Sequence, residues 1–299
     1  MKNIKHTIVS VLLLLVAVVT ASAQMPIKTI PVDTAFRIGK LPNGLTYIIR
    51  HNNWPEHRAN FYIAQKVGSL EENEDQRGLA HFLEHMAFNG STNIPEGEMT
   101  KNLERLGLSF GGDTNAFTSF DQTAYTLNLP NTSEEVVDAT LFTLRETAGE
   151  LLFDAEAVDR ERGVIVGEER TRDTPALRST KALLAFLAPG QRLADRLPIG
   201  DLEIIRTSPR DRFVDFYRAY YRPERATLIA VGDFDVDQME AKIRAAFANE
   251  LKDTTKLILA QRVASVCDAD LLLVMDGGRV LAQGDHRQRR NLHADAEER

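Results

Sequence analysis

Two histidines and one glutamate lie close together in the apolar segment of residues 78–88. His81 and His85 are four residues apart, so on a helix their imidazoles project from one face and can reach a single ion. Glu84 directly precedes the second histidine. A carboxylate there can take a proton from a water molecule on the metal, whose pKa a zinc ion lowers to about 7. The pattern therefore predicts a helix that carries two metal ligands and a general base.

The alternative is that these are ordinary surface or core groups. It does not explain why three polar residues are enclosed by apolar ones, namely Leu79, Phe82, Leu83, Met86 and Phe88. Burying them without partners would cost about 1 to 3 kcal/mol for each group, whereas one metal ion satisfies all three. His51 and His57 have no such surroundings, and we expect both at the surface.

A catalytic zinc has three protein ligands and one open position, so a third ligand must come from elsewhere. The candidates lie within residues 159–170. On a helix, Glu161 and Glu168 would share a face, because they are seven residues apart. However, residues 163–167 would also fit a short strand, and periodicity cannot decide between the two. The residues alone leave Glu161, Glu168 and Glu169 open.

The elements around these residues alternate between strands and helices. Period-2 and apolar runs predict strands at residues 45–50, 60–67, 115–118, 123–129 and 226–231. Helix patterns and capping residues predict helices at residues 76–89, 96–106, 133–149, 208–221 and 236–247. Neighbouring antiparallel strands with helices between them predict an α+β fold, a mainly antiparallel sheet with helices packed on it. This domain is expected to occupy residues 24–249.

Three separate segments resemble the pitrilysin/insulinase family of zinc peptidases. They are the inverted HxxEH motif within residues 76–90, residues 112–125, and residues 159–170, and the similarity extends over residues 38–247. The resemblance implies a domain like that of the mitochondrial processing peptidase. It also implies Glu168 as the third zinc ligand, with Glu161 as a catalytic carboxylate that orients a ligand or the base. The alternative for Glu161 is an ion pair with Arg160 or Arg162.

The same resemblance implies how substrate binds. Asn115, Ala116 and Phe117 would lie on an edge strand to which a peptide or unfolded protein segment adds as a further strand. From the residues alone, this segment could equally be a hairpin strand with its asparagine near a turn. The resemblance also implies a clamp of two similar halves. No second copy of the unit is recognised after Asn249, so we expect either that a separate partner half completes the clamp or that the chain is incomplete. The leading prediction is a zinc endopeptidase that acts on peptides, and the alternative is a half-enzyme or non-catalytic binding or processing subunit.

The N-terminus has the layout of a secretory signal. Lys2 and Lys5 precede an apolar run at residues 8–19, and small residues lead to a cleavage site expected after Ala23. A cleaved leader at residues 1–23 predicts a periplasmic or secreted protein, with an uncleaved anchor as the alternative. The net charge of −7 argues against nucleic-acid binding, which needs clustered basic residues.

Residues 250–299 resemble the end of an ABC transporter ATPase domain, with Gln261 at the place of that family's switch histidine. The chain has no GxxxxGK[ST] phosphate loop, so we expect no ATP binding and no function for this segment. A hairpin that turns at residues 276–278, with weak packing around it, is expected there.

Overall fold

The computed structural model describes residues 31–247 in full and, beyond them, only the strands Leu272–Asp276 and Arg279–Gly284. The predicted leader and most of residues 250–299 lie outside the described residues. Contacts divide the chain into a first unit, Met1–Phe36, and a second unit, Arg37–Arg299. In the described part of the first unit, Asp33 forms a turn in which its side chain accepts a hydrogen bond from the N–H of Ala35 at 2.9 Å.

A six-stranded sheet organises the second unit. Its strands in chain order are β1 (Phe36–Lys40), β2 (Thr46–His51), β3 (Ala59–Gln65), β4 (Thr114–Thr118), β5 (Thr123–Leu129) and β6 (Ala226–Gly232). The order across the sheet is β1-β2-β6-β3-β5-β4. β3 pairs antiparallel with β5 and β6, and β4 pairs antiparallel with β5, whereas β2 and β6 are parallel. The prediction of a mainly antiparallel sheet is confirmed, and β4 lies at its edge.

Helices fill the connections between these strands. They are α1 (Leu79–Met86), α2 (Glu98–Arg105), α3 (Glu134–Gly149), α4 (Ala155–Arg172), α5 (Pro175–Leu187), α6 (Arg192–Asp195), α7 (Leu202–Thr207), α8 (Arg210–Tyr220) and α9 (Val236–Phe247). The α+β class predicted from the sequence is therefore confirmed. None of the helices in residues 31–247 is long and apolar enough to cross a membrane.

The metal-motif helix α1 is fixed by its apolar residues. Leu79, Phe82, Leu83 and Met86 are all fully buried in the main core. Burying a side chain of this size stabilises the fold by about 1.5 to 3 kcal/mol. Because these four residues lie on one face of the helix, their burial fixes the rotation of α1 about its axis and directs His81, Glu84 and His85 to the opposite face.

Residues 155–172 form one continuous helix, α4, so the alternative of a short strand at residues 163–167 is wrong. The Asp154 side chain caps it, accepting hydrogen bonds from the N–H groups of Glu156 and Ala157. Ile165 faces the core and is fully buried, while Val164 is 53% exposed. The apolar run is therefore split between two faces of a helix.

Beyond the main domain, β7 (Leu272–Asp276) and β8 (Arg279–Gly284) pair antiparallel, with Asp276 opposite Arg279. This agrees with the expected hairpin. The expected weak packing around it lies outside the described residues.

Candidate metal centre

Three side chains from two helices converge at one point. His81 and His85 of α1 and Glu168 of α4 place one donor atom each within 4.8 Å of one another. Oε2 of Glu168 lies 3.5 Å from Nε2 of His81 and 3.3 Å from Nε2 of His85. Zinc held tetrahedrally at about 2.1 Å from nitrogen and oxygen donors sets those donors about 3.4 Å apart. The triad therefore has the donor types that a zinc ion needs, and both distances from Glu168 to the histidines match the spacing of zinc ligands.

Glu161 orients His85 through the ring nitrogen that faces away from the triad. It lies two helical turns before Glu168 on α4, and its Oε1 is 2.7 Å from Nδ1 of His85. Its Oε2 accepts a hydrogen bond at 3.1 Å from the side chain of Asn89, which also donates to the carbonyl of His85. With Nδ1 engaged by a carboxylate, Nε2 is the nitrogen left to bind a metal.

The structure does not show the alternative roles of Glu161, as an ion-pair partner, and of Glu169, as a metal ligand. Arg160 pairs with Glu96, and Arg162 pairs with Asp159, so neither forms the ion pair with Glu161 that the sequence left open. Glu169, the third candidate ligand, is not part of the converging triad.

Glu84 is half-buried beside the triad and is held by the edge strand. The hydroxyl of Thr118, the last residue of β4, donates a 2.5 Å hydrogen bond to its Oε2. Burial raises the pKa of Glu84, against the effect of this hydrogen bond, which lowers it. The carboxylate is thus a stronger base than an exposed glutamate and is oriented by strand β4.

The two histidines have opposite electrostatic surroundings. Burial, together with the charges of His85 and Arg172, lowers the pKa of His81 to about 3. Burial also lowers the pKa of His85, but its hydrogen bond with Glu161 and the negative charge of that residue outweigh it, so this pKa lies above its usual value. His81 is thus held neutral, the form that binds a metal.

Arg172 lies one turn after Glu168 on α4, and its Nη2 is 2.5 Å from Oε1 of that residue. The arginine thus holds the carboxylate oxygen that faces away from the histidines, and Oε2 remains directed at them. Arg172, Asn89 and Thr118 were not predicted to support the site. The signals were the i, i+4 spacing of Asn89 from His85 and of Arg172 from Glu168, which puts each pair on one helix face.

The predicted substrate residues Asn115, Ala116 and Phe117 all belong to the edge strand β4. Asn115 is exposed, Ala116 is half-buried and Phe117 is 45% exposed. Their roles towards a substrate stay a prediction. His51 and His57 are exposed, as expected for surface groups.

Glu161 provides a test of the ligand geometry. For Glu161→Gln we expect zinc affinity at neutral pH to fall by about 10- to 100-fold, the usual effect of removing a carboxylate that orients a ligating histidine. Competition with a chromophoric chelator measures this change. The matched control is Glu156→Gln, an exposed carboxylate on the same helix. Equal zinc affinity in the two variants would contradict the role given to Glu161.

Comparison with known proteins identifies the family to which these residues belong. The sequence profile of the insulinase family (peptidase family M16) matches residues 47–188, which contain all three converging side chains. A second profile, described as the peptidase M16 inactive domain, matches residues 208–274. Together the two matches cover more than half of the chain. The chain belongs to the M16 peptidase family.

Its M16 relatives include bacterial zinc proteases. The probable zinc protease PqqL of Haemophilus influenzae is 39% identical over 225 residues, which are 75% of this chain and 24% of that protein. The crystal structure of the first half of the periplasmic protease PqqL from Escherichia coli superposes with a TM-score of 0.71 at 34% identity, covering 74% of this chain and 47% of that one. The ferredoxin protease FusC, in complex with Arabidopsis ferredoxin, gives a TM-score of 0.68 at 29% identity, covering 72% of this chain and 24% of that one.

Two consequences follow for this M16 chain. It spans about a quarter of the length of the curated PqqL relatives that it matches. In addition, the resemblance of residues 250–299 to an ABC transporter ATPase is not supported, since the M16 inactive-domain profile extends into this segment as far as residue 274.

Proposed function

We propose that this chain is the metal-bearing part of a zinc-dependent endopeptidase. The observation that carries the proposal is the convergence of His81, His85 and Glu168, with the carboxylate of Glu84 beside them and outside the triad. A non-catalytic relative would need only a stable fold. It would have no chemical reason to keep three ligands and an oriented base together.

In the proposed peptide hydrolysis, the metal and the protein side chains have different roles. A bound zinc ion supplies a Lewis acid for the peptide carbonyl and makes a water molecule more acidic. Glu84 takes the proton from the attacking water and delivers it to the nitrogen of the leaving amine. His81, His85 and Glu168 hold the ion, and Glu161 keeps Nε2 of His85 directed at it.

The substrate would bind along β4, whose main-chain groups alternate between the neighbouring strand and the open edge. The N–H of Asn128 donates to the carbonyl of Asp113 at 2.8 Å, which sets the alternation at one end of the pair. Asn115 and Phe117 therefore direct their main-chain groups at β5, and Ala116 directs its own outwards. An extended peptide can pair with this edge through main-chain bonds alone, which suits many sequences and unfolded segments.

Ala116→Pro tests this binding mode. Proline removes the outward N–H, which in the free chain donates to Oδ1 of Asn115 at 2.9 Å and would turn to the substrate. It leaves the bonds between β4 and β5 in place, at a position where edge strands tolerate proline. Losing one hydrogen bond, about 1 to 1.5 kcal/mol, should lower kcat/KM for a quenched peptide about 5- to 10-fold, chiefly through KM. Zinc content should not change. Ala116→Ser, which retains the N–H, is the control, and an equal loss in both variants would argue against strand addition.

A second candidate is a half-enzyme or binding subunit that acts only with another homologous half. The short coverage of the relatives favours it, because PqqL proteins are about four times the length of the matched region. Elemental analysis and cleavage of a quenched peptide, made on the same sample of the full chain, separate the two candidates. One zinc per chain with cleavage supports the peptidase, and zinc without cleavage supports the half-enzyme. A folded chain without zinc would refute the peptidase and the half-enzyme and would leave only the non-catalytic binding subunit.

We also propose that residues 1–23 are an export signal and that residues 24–249 form the peptidase domain. The support is the leader-like sequence and the periplasmic location stated for PqqL of Escherichia coli. Intact-mass measurement of protein from the periplasmic fraction tests the cleavage site. A chain that begins at Gln24 is expected, and a full-length chain in the membrane fraction would contradict the proposal.

A further inference from the structure

The helix that carries both histidines begins at a residue that cannot cap it. Gly78 is the N-cap of α1 and has a φ of 102°, in the left-handed region that favours glycine. A Cβ at this position would lie 3.0 Å from Cδ1 of Ile205 and 3.1 Å from Cα of Gly200. Both the backbone conformation and this close packing favour glycine, so the cap must come from another part of the chain.

A fully buried glutamate supplies that cap. Oε2 of Glu72 accepts a hydrogen bond from the N–H of Gly78 at 3.0 Å, and its Oε1 accepts one from the N–H of Ala80 at 2.9 Å. Glu72 has no exposed surface. Its two carboxyl oxygens therefore satisfy two of the backbone donors that the first turn of α1 leaves unpaired. Burial raises the pKa of Glu72 to about 8, against these two hydrogen bonds and the charges of Arg196 and Arg192, which lower it.

Glu72 is itself held from the opposite side. Its carbonyl accepts hydrogen bonds from Nε of Arg196, at 3.2 Å, and from the guanidinium of Arg192. Arg196 is only 2% exposed and also pairs with Glu74 at 2.5 Å, while its own carbonyl accepts a hydrogen bond from Ser69. The main chain that carries the capping carboxyl group is thus held by the buried Arg196 and by Arg192.

The capped turn also contains His81, one of the three proposed metal ligands. α1 has only eight residues, so His81 lies in its first turn and follows Ala80 directly. If the first turn frays, the imidazole of His81 moves away from His85 and Glu168, although the rest of the core remains packed.

We propose that Glu72 is a positioning residue for the metal centre, which sets the place of His81 by capping the first turn of α1. The inference rests on the proposed zinc site, and it assigns to this buried carboxylate a role in zinc affinity and coordination geometry beyond its role in stability.

The test compares Glu72→Gln with Glu146→Gln in the full chain. Glutamine retains one acceptor oxygen but sets an NH₂ group against a backbone donor, so the cap is broken with little change in volume. Glu146 is also fully buried, but its carboxylate binds Ser91 and Asn93 and no ligand helix. Three quantities are measured: zinc affinity by chelator competition, the visible spectrum of the Co²⁺-substituted protein, and the urea midpoint of the metal-free protein.

For Glu72→Gln we expect zinc affinity to fall by about 10- to 100-fold and the Co²⁺ spectrum to change. Glu146→Gln should lower the urea midpoint but retain both zinc affinity and spectrum. If the glutamine variant does not fold, Glu72→Asp, which retains the carboxyl group but is one methylene shorter, is expected to show the same two changes. Wild-type zinc affinity and spectrum in a folded Glu72 variant would overturn the proposal.

These outcomes separate this inference from the proposed function. A wild-type chain that binds zinc but cleaves no peptide refutes the peptidase activity and leaves the role of Glu72 to be decided by zinc affinity. A wild-type chain that binds no zinc refutes both together.

Discussion

Glu84→Gln is expected to lower kcat for peptide cleavage by about 10²- to 10⁴-fold, the range that a general base contributes, while the protein retains one zinc per chain. Zinc is retained because Glu84 lies outside the triad of His81, His85 and Glu168. The amide oxygen of glutamine can still accept the hydrogen bond from Thr118, so the edge strand should not shift. Single-turnover kinetics and elemental analysis measure the two quantities.

The control for this variant is Thr118→Val, which removes only the hydrogen bond that orients the base. We expect a smaller loss, about 10-fold in kcat, with zinc retained. The pH profile gives a further check. Because burial raises the pKa of Glu84, and the base must be ionised to act, activity should fall on acidification at a pH above the usual glutamate value of 4.5. A Glu84→Gln protein with more than a tenth of the wild-type kcat would show that another group takes the proton.

Glu168→Gln is expected to lower zinc affinity by more than about 100-fold. Removing a residue that only hydrogen-bonds to a metal ligand typically lowers the affinity by about 10- to 100-fold. An amide oxygen is a much weaker donor than a carboxylate for a divalent cation, and only two histidines would remain to hold it. Cleavage should be lost with the metal. Chelator competition at fixed pH, followed by addition of excess zinc, separates weak binding from damage to the site.

The neighbouring residue provides the control for this second variant. Glu169→Gln makes the same chemical change one residue further along α4, outside the converging triad, and should bind zinc like the wild type. Glu161→Gln should lie between the two. If Glu169→Gln lost zinc and Glu168→Gln kept it, the ligand assignment would be wrong by one residue.

The elements with strong sequence periodicity were predicted well. β5 was predicted at residues 123–129 and forms at Thr123–Leu129, because Thr123, Tyr125 and Leu127 alternate towards the core. The helix around His81 and His85 is confirmed, although its regular part, Leu79–Met86, is shorter than predicted. The preceding residues, 74–76, form a separate 3₁₀ turn.

Other elements could not be predicted from local sequence. The parallel pairing of β2 with β6 joins Thr46 to Thr227, which are about 180 residues apart, and no short-range pattern encodes it. Helix α5 was missed although Thr174 and Pro175 give a clear start signal. None of its residues is buried, and apolar ones such as Phe186, at 80% exposure, lie outwards, so packing within the described residues contributes little to this helix.

At the metal centre, the sequence alone identified α1 and its three polar residues but not the partner helix. The five residues from Gly163 to Gly167 obscured the periodicity of α4, and the third ligand was assigned by family resemblance. Glu72 was missed because it lies nine residues before His81 and acts through main-chain N–H groups. A contact of this kind depends on the path of the backbone between the two residues.

Through the hydrogen bond from Thr118 to Glu84, strand β4 orients the proposed base as well as offering its edge to the substrate. Side chains alternate along β4, and a shift of one residue in its pairing with β5 would exchange its two faces. Thr118 would then turn away from Glu84, and the outward main-chain position of Ala116 would pass to a neighbouring residue. A one-residue insertion or deletion within β4 is therefore expected to disturb the base and the substrate track together. Evolution could lengthen the loops on either side of this strand far more readily than the strand itself.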